Sequence, residues 1–214
     1  MTLTRVSYYL LMRVTESVTT DARRAQIADA ATTAIHELGY QGASFARVAE
    51  YAGLSSTRLI SYHFADKRDL TMVVLTTAMG TVDAVMAELI DGVTDRRELL
   101  RAYIRSQVAL IGTHTRELRA IAEIGTHARD ADGTAAFEPV LRDYRVGRLH
   151  RQLAQGLREG VFAGIDPAIM ATTIRHAIDG AWEHRLMYPD TDPAVYGDEL
   201  ATAFDRAVTA AAEA

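Results

Sequence analysis

The sequence predicts an all-α protein, a small unit of three helices followed by a larger helical bundle, on three observations. Apolar residues recur at intervals of three and four along nearly every segment, the spacing that gives a helix one buried face. No segment alternates apolar and polar residues as a half-buried strand does. The helical pattern breaks at Asp91-Gly92, Asp132-Gly133, Gly164 to Pro167 and Pro189 to Pro193, where glycine or proline ends a helix. With 214 residues, 49% of them apolar, the chain can bury one large core or two modest ones. It has no cysteine, which excludes disulfides and thiolate chemistry.

The chain opens with a mostly apolar run, Val6 to Met12, too short to span a bilayer and followed by no small-residue cleavage site. Residues 1–20 are expected to be a disordered tail. The alternative makes Arg5 and Arg13 a basic arm for a minor groove. No membrane partner is expected, and the location expected is cytoplasmic. The first helix is predicted from a cap at Asp21 to a stop at Gly39, with Ile27, Ala31, Ala34, Ile35 and Leu38 on one face.

From Phe45 to Phe64 the chain has the logic of a helix-turn-helix. Ser44 can cap a helix carrying Phe45, Val48 and Ala49, the small Ala49 allowing a second helix to approach. Gly53 then supplies a corner where φ is often positive, and Leu54 returns beneath it. Ser55 or Ser56 can cap the second helix, with Leu59, Ile60 and Tyr62 inward and Thr57, Arg58, Ser61 and His63 outward. Two such helices form the motif whose second member enters the DNA major groove. A further helix is expected after Phe64, with Asp66 as its cap and Leu70, Val73, Val74, Thr77 and Val82 at helical spacing. Lys67 in its first turn opposes the helix dipole, and an anion such as a DNA phosphate held there makes both favourable.

The net charge of −5 looks wrong for a nucleic-acid binder until it is divided along the chain. Residues 1–70 carry eight Arg/Lys against seven Asp/Glu, and the remainder carries fifteen against twenty-one. The acidity therefore belongs to the C-terminal part, while Arg47, Arg58, Lys67 and Arg68 cluster in and just after the motif. Phosphates respond to local charge over a Debye length of about 8 Å.

Residues 21–70 resemble the DNA-binding domain of the TetR family of transcriptional regulators. The resemblance rests on Val48-Ala49, Ala52-Gly53-Leu54-Ser55, Tyr62-His63-Phe64, Lys67 and Leu70. It implies phosphate contacts for Ser44, Tyr62, His63 and Lys67, with Arg47 as an additional one. Ser55, Ser56, Thr57 and Arg58 are then the residues for base edges, and Arg58 can reach guanine O6 and N7 together. A phosphate contact or a solvated position is the competing reading for Arg58, and core packing the competing reading for Tyr62. Two departures stand out. Gly53 to Phe64 is one residue longer than the commonest family pattern, and Ser61 stands where the family often has an aromatic residue.

Beyond Leu70, Thr94 or Asp95 is expected to cap a helix carrying Leu99, Leu100, Tyr103, Ile104, Val108 and Ile111. Another helix holds Leu118, Ile121, Ala122 and Ile124. Two long helices are expected near Ala135–Glu159 and Pro167–Tyr188, and a last one from Pro193. The resemblance implies that the long pair builds a homodimer, although internal burial also accounts for their apolar stripes. It further implies a small-molecule effector bound within the bundle. Tyr103, Gln107, His114, Glu123 and His127 are candidates for that site, as are His176, Asp179 and Trp182 on one helix face.

Enzymatic chemistry finds no support in the residue pattern. Glu123 with His127, and His176 with Asp179, have helical ligand spacing but no third partner, so neither metal nor cofactor is expected. No nucleophile elbow or phosphate loop occurs. The expected organisation is a tail over 1–20, a DNA-binding domain over 21–68, and an effector-binding and dimerisation domain over 69–214. The function expected is that of a homodimeric repressor released from a palindromic operator on double-stranded DNA by a small molecule. The alternative is an all-helical ligand-binding or catalytic protein without specific DNA binding.

Overall fold

The computed structural model describes residues 3–209, with side chains from residue 20 onward. The expected tail and basic arm lie, but for Thr20, outside the described side chains. The chain is all-α, with one isolated bridge between Arg129 and Ala135 as the β-pairing among the described residues. In order the helices are α1 (Leu3–Gly42), α2 (Phe45–Tyr51), α3 (Arg58–His63), α4 (Lys67–Leu89), α5 (Arg96–Thr113) and α6 (Thr115–His127). There follow α7 (Glu138–Arg142), a π turn (Asp143–Gly147), α8 (Arg148–Arg158), α9 (Pro167–Met187) and α10 (Pro193–Thr209). The residues divide into two compact units, Met1–Ala78 with Arg119–Ala128, and Met79–Leu118 with Arg129–Ala214. Both α4 and α6 therefore supply residues to each unit.

In the first unit Ile27, Ala31, Ala34 and Ile35 of α1 are buried together with Val48, Ala49, Ile60 and Phe64. Leu38, expected on the same face, is 43% exposed because Gly39, at φ 72 and ψ 166, ends the helical geometry next to it. The helix runs straight through Asp21, so that residue does not cap it. Asp66 does cap α4, its carboxylate accepting the Asp69 N–H at 2.8 Å. That helix is long and apolar enough to cross a bilayer, yet Leu70, Val74, Leu75, Ala78, Val82 and Met86 are buried within the protein, as core positions are.

In the second unit Asp95 caps α5 by accepting the Glu98 N–H at 2.8 Å. Leu100, Ile104, Val108, Leu149, Leu153, Ile174 and Ile178 make up much of its core. Phe162 folds back against Gly156, where any Cβ would overlap its ring. Arg97 holds the buried Asp205 carboxylate through two hydrogen bonds of 2.9 and 2.7 Å, joining α5 to α10. The stripe expected along α9 is half buried. Ile174 and Ile178 are inside, whereas Ile169 and Leu186 are 69% and 73% exposed.

Candidate nucleic-acid interface and ligand cavity

The helix-turn-helix is built by local chemistry and held by α1. Ser44 caps α2, its Oγ accepting the Arg47 N–H at 3.3 Å. The helix ends in a glycine corner at Gly53, φ 65. There the Leu54 N–H donates to the Ala49 carbonyl at 2.9 Å and the Gly53 N–H to the Glu50 carbonyl at 3.1 Å. This pair of bonds satisfies the last carbonyls of α2 and needs a left-handed residue at its centre. The connection then runs from Ala52 to Thr57, and α3 has only six residues. Ser56 takes the capping role, accepting the Arg58 N–H at 3.1 Å. From α1, Gln26 donates to the Ala52 carbonyl at 2.9 Å, and Arg24 donates to the His63 carbonyl and lies over the Phe64 ring.

This arrangement leaves one side of the motif open. Ser55, Ser56, Thr57, Arg58 and Ser61 are all exposed, and the Arg58 guanidinium has no ion-pair partner among the described residues. Tyr62 corrects the expectation of an inward position. It is 79% exposed, because Ile60, two residues earlier, and Phe64, two residues later, occupy the core. Its ring meets the edge of His63 at 5.0 Å, and His63 itself is half-buried. Ser44 and Arg47 are exposed near α2's start, Arg47 paired with Glu50 at 2.8 Å. Lys67 is half-buried and donates to the Tyr40 carbonyl at 3.0 Å, over the Tyr40 ring. Burial lowers the pKa of its ammonium from the ordinary lysine value. One bond uses one of three ammonium donors, so two stay available to an anion.

In the second unit a partly open cavity of about 530 Å³ lies among α4, α5, the α7–α8 stretch and α9. Its volume is in the range of small-molecule sites. Tyr103 and Gln107 of α5 line it, together with Met79 and Asp83 of α4. Pro139 and Val140, then Asp143 and Tyr144, then Arg148 and Arg151 come from the α7–α8 stretch, and Arg175 from α9. The sequence reading named none of these last seven, nor Met79 and Asp83. Met79, Asp83 and Arg175 join this wall only through tertiary packing, and along the α7–α8 stretch a π turn intervenes. It shifts the helical register by a residue between Val140 and Arg148, and no periodicity announces such an insertion.

Charges on the wall are paired in a definite way. Arg148 lies 3.3 Å from Asp83 and Arg151 2.8 Å from Asp143. Arg175 grips Asp179 and donates to the Gln107 side-chain carbonyl at 2.9 Å, while Arg145 also pairs with Asp179. Burial raises the pKa of the Tyr103 and Tyr144 phenols, so both remain neutral donors. The other residues considered for this site lie elsewhere. His114 ends α5, bonded to Thr113, and His176 is exposed. Trp182 packs on the cluster of Val108, Ile111 and Ala181. Glu123 and His127 belong to the first unit, where the Glu123 carboxylate accepts the Tyr40 N–H at 3.1 Å and lies 3.3 Å from the His127 Nδ1. Among the described residues no group of three or more potential ligands is placed to hold a metal.

Residues 96–211 match the family model of the C-terminal domain of BetI-type transcriptional repressors, a TetR class. The chain is 28% identical over 180 residues to the helix-turn-helix transcriptional regulator BetI of Burkholderia cenocepacia, a match that covers 76% of this chain and 81% of that protein. A transcriptional regulator of Rhodococcus sp. Rha1 shares the fold with a TM-score of 0.70 and 20% identity, over 88% of this chain and 96% of that one. AibR, solved with isovaleryl coenzyme A and operator DNA, superposes with a TM-score of 0.65 and 19% identity, over 87% and 97% of the two chains.

Proposed function

Because the chain belongs to the TetR family of helix-turn-helix transcriptional regulators, we propose that it is a cytoplasmic homodimeric repressor released from a palindromic operator by a small-molecule effector. The observation that carries this reading is the open row of Ser55, Ser56, Thr57, Arg58, Ser61 and Tyr62 on a rigidly anchored helix-turn-helix. Ser55 to Arg58 face base edges, with Arg58 bidentate on a guanine. Ser44, Arg47, Tyr62, His63 and Lys67 hold the flanking phosphates and fix the register of α3 in the groove. The reading segment is residues 21–68, and the effector and dimer functions belong to residues 69–214.

A single short α3 reads too few base pairs for useful specificity, so two copies must act together on half-sites about 34–36 Å apart. Ile169, Leu186 and Met187, exposed on α9, support that helix as part of the dimer surface, since large apolar side chains left in water favour a partner. The effector enters the 530 Å³ cavity. Met79 and Asp83 on its wall belong to the helix that carries Lys67 in its first turn. A ligand that prefers one placement of α4 therefore shifts the population of DNA-competent dimers. A coupling of about 1–3 kcal/mol changes operator affinity roughly 5–150-fold.

The test is fluorescence anisotropy of the full chain on duplex DNA from around its own coding region, titrated with salt. Binding should weaken steeply with salt, and each phosphate contact removed should lower the log–log slope by about 0.9. Unchanged binding after Lys67→Ala combined with Tyr62→Ala would overturn the assignment.

A further inference from the structure

We propose that the cavity in the second unit takes an anionic ligand with an apolar body, its anionic group seated against Arg175 between the Tyr103 and Tyr144 phenols. This rests on the reading of that cavity as the effector site.

The charge balance of the wall points to an anion. Arg148 and Arg151 each have a carboxylate of their own, Asp83 and Asp143. Arg175 shares its carboxylate, Asp179, with Arg145, and its remaining partners, the Gln107 side chain and the Tyr103 hydroxyl, are neutral. One positive charge is thus left uncompensated beside the cavity. The Arg175 side chain is only 15% exposed, so water screens that charge poorly. The planar N–H fork of a guanidinium is well shaped for a carboxylate or phosphate.

The phenols add to this. Tyr103 is buried and Tyr144 half-buried, and burial holds both hydroxyls in the protonated, donating form. A cation would find no free carboxylate here, since Asp83, Asp143 and Asp179 are all engaged by arginine. Met79, Pro139 and Val140 supply the apolar part of the lining. The π turn is part of the device. It brings Asp143 and Tyr144 to the wall, and a Cβ at Gly147 would overlap the Asp143 carboxylate that holds Arg151.

Three probes of one chain length separate the charge classes: octanoate, octan-1-ol and octyltrimethylammonium, each titrated calorimetrically into the full-length protein. Octanoate is expected to bind at least tenfold more tightly than the alcohol or the cation. Arg175→Gln should weaken octanoate about tenfold or more while leaving the alcohol unchanged. Asp179→Asn should act in the opposite direction and strengthen octanoate several-fold, a gain that a damaged fold would not produce. Equal or tighter binding of the cation or alcohol, an Arg175→Gln variant with unaltered octanoate affinity, or no binding of any probe would each overturn the proposal. Operator anisotropy with and without saturating octanoate keeps the two readings apart. Octanoate that binds as expected but leaves DNA affinity unchanged would sink the effector reading and leave the ligand class standing.

Discussion

Tyr62 shows how a residue's role is decided by its neighbours. An aromatic at helical spacing from Leu59 reads as core, but Ile60 and Phe64 fill the space beneath α3 and turn the phenol outward. An exposed large aromatic beside the motif's open face is suited to lie against a sugar–phosphate backbone. Tyr62→Ala is expected to change unfolding free energy by no more than about 0.5 kcal/mol. It should still weaken operator binding, and a fall in melting temperature alongside would mean that the ring packs internally. Arg58→Ala should cost about 1–3 kcal/mol and relax base preference at a single operator position. A randomised-operator selection reads this directly, and uniform loss across all sequences would instead mark Arg58 as a phosphate contact.

At the scale of elements, glycine sets both of the sharpest features. Gly53 sits at φ 65 with open space where a Cβ would go, so Gly53→Ala carries only the backbone penalty, about 1–2 kcal/mol. Gly156 is different, because the Phe162 ring already occupies the site of its Cβ. Gly156→Ala should destabilise by about 1–3 kcal/mol through overpacking. Urea denaturation compares the two, and pairing Gly156→Ala with Phe162→Leu should recover part of the loss if the clash is the cause. The connection between α2 and α3 takes six residues, Ala52 to Thr57. It shortens α3 and leaves Ser55, Ser56 and Thr57 ahead of the helix rather than within it.

For the whole molecule, the Arg97–Asp205 pair offers a test that pH can tune. Arg97 lowers the pKa of the buried Asp205 carboxyl below its ordinary value, with Arg101 assisting from 3.8 Å. A carboxyl depressed in the folded state contributes stability that is full above its unfolded pKa of about 3.9. That contribution is lost as pH falls through the folded value. Arg97→Ala, which leaves a buried acceptor under-satisfied, should cost about 1–3 kcal/mol at neutral pH. The gap from wild type should narrow by about pH 3. A gap that stays constant over this range would place the loss in packing rather than charge.

The helices and their stops were legible because they depend on near neighbours in sequence. Gly39 and Gly53 take positive φ where the pattern ends, and Asp66, Asp95 and Ser44 cap the helices they precede. The helix-turn-helix was legible for the same reason, since its corner, cap and buried residues fall within twenty positions. The cavity was not. Tyr103 and Gln107 could be named from α5 alone, but Asp83, Tyr144, Arg148 and Arg175 come together from three other stretches, and a π turn shifts the register of one of them. Likewise Glu123 and His127 share a helix face at four-residue spacing, yet Glu123 is taken by the Tyr40 backbone. Local backbone preference and apolar period, which act between residues a few positions apart, determined the elements. Which polar side chains meet, and which charge is left without a counterpart, was decided only by tertiary packing, because the energies involved act through space between residues far apart in the chain.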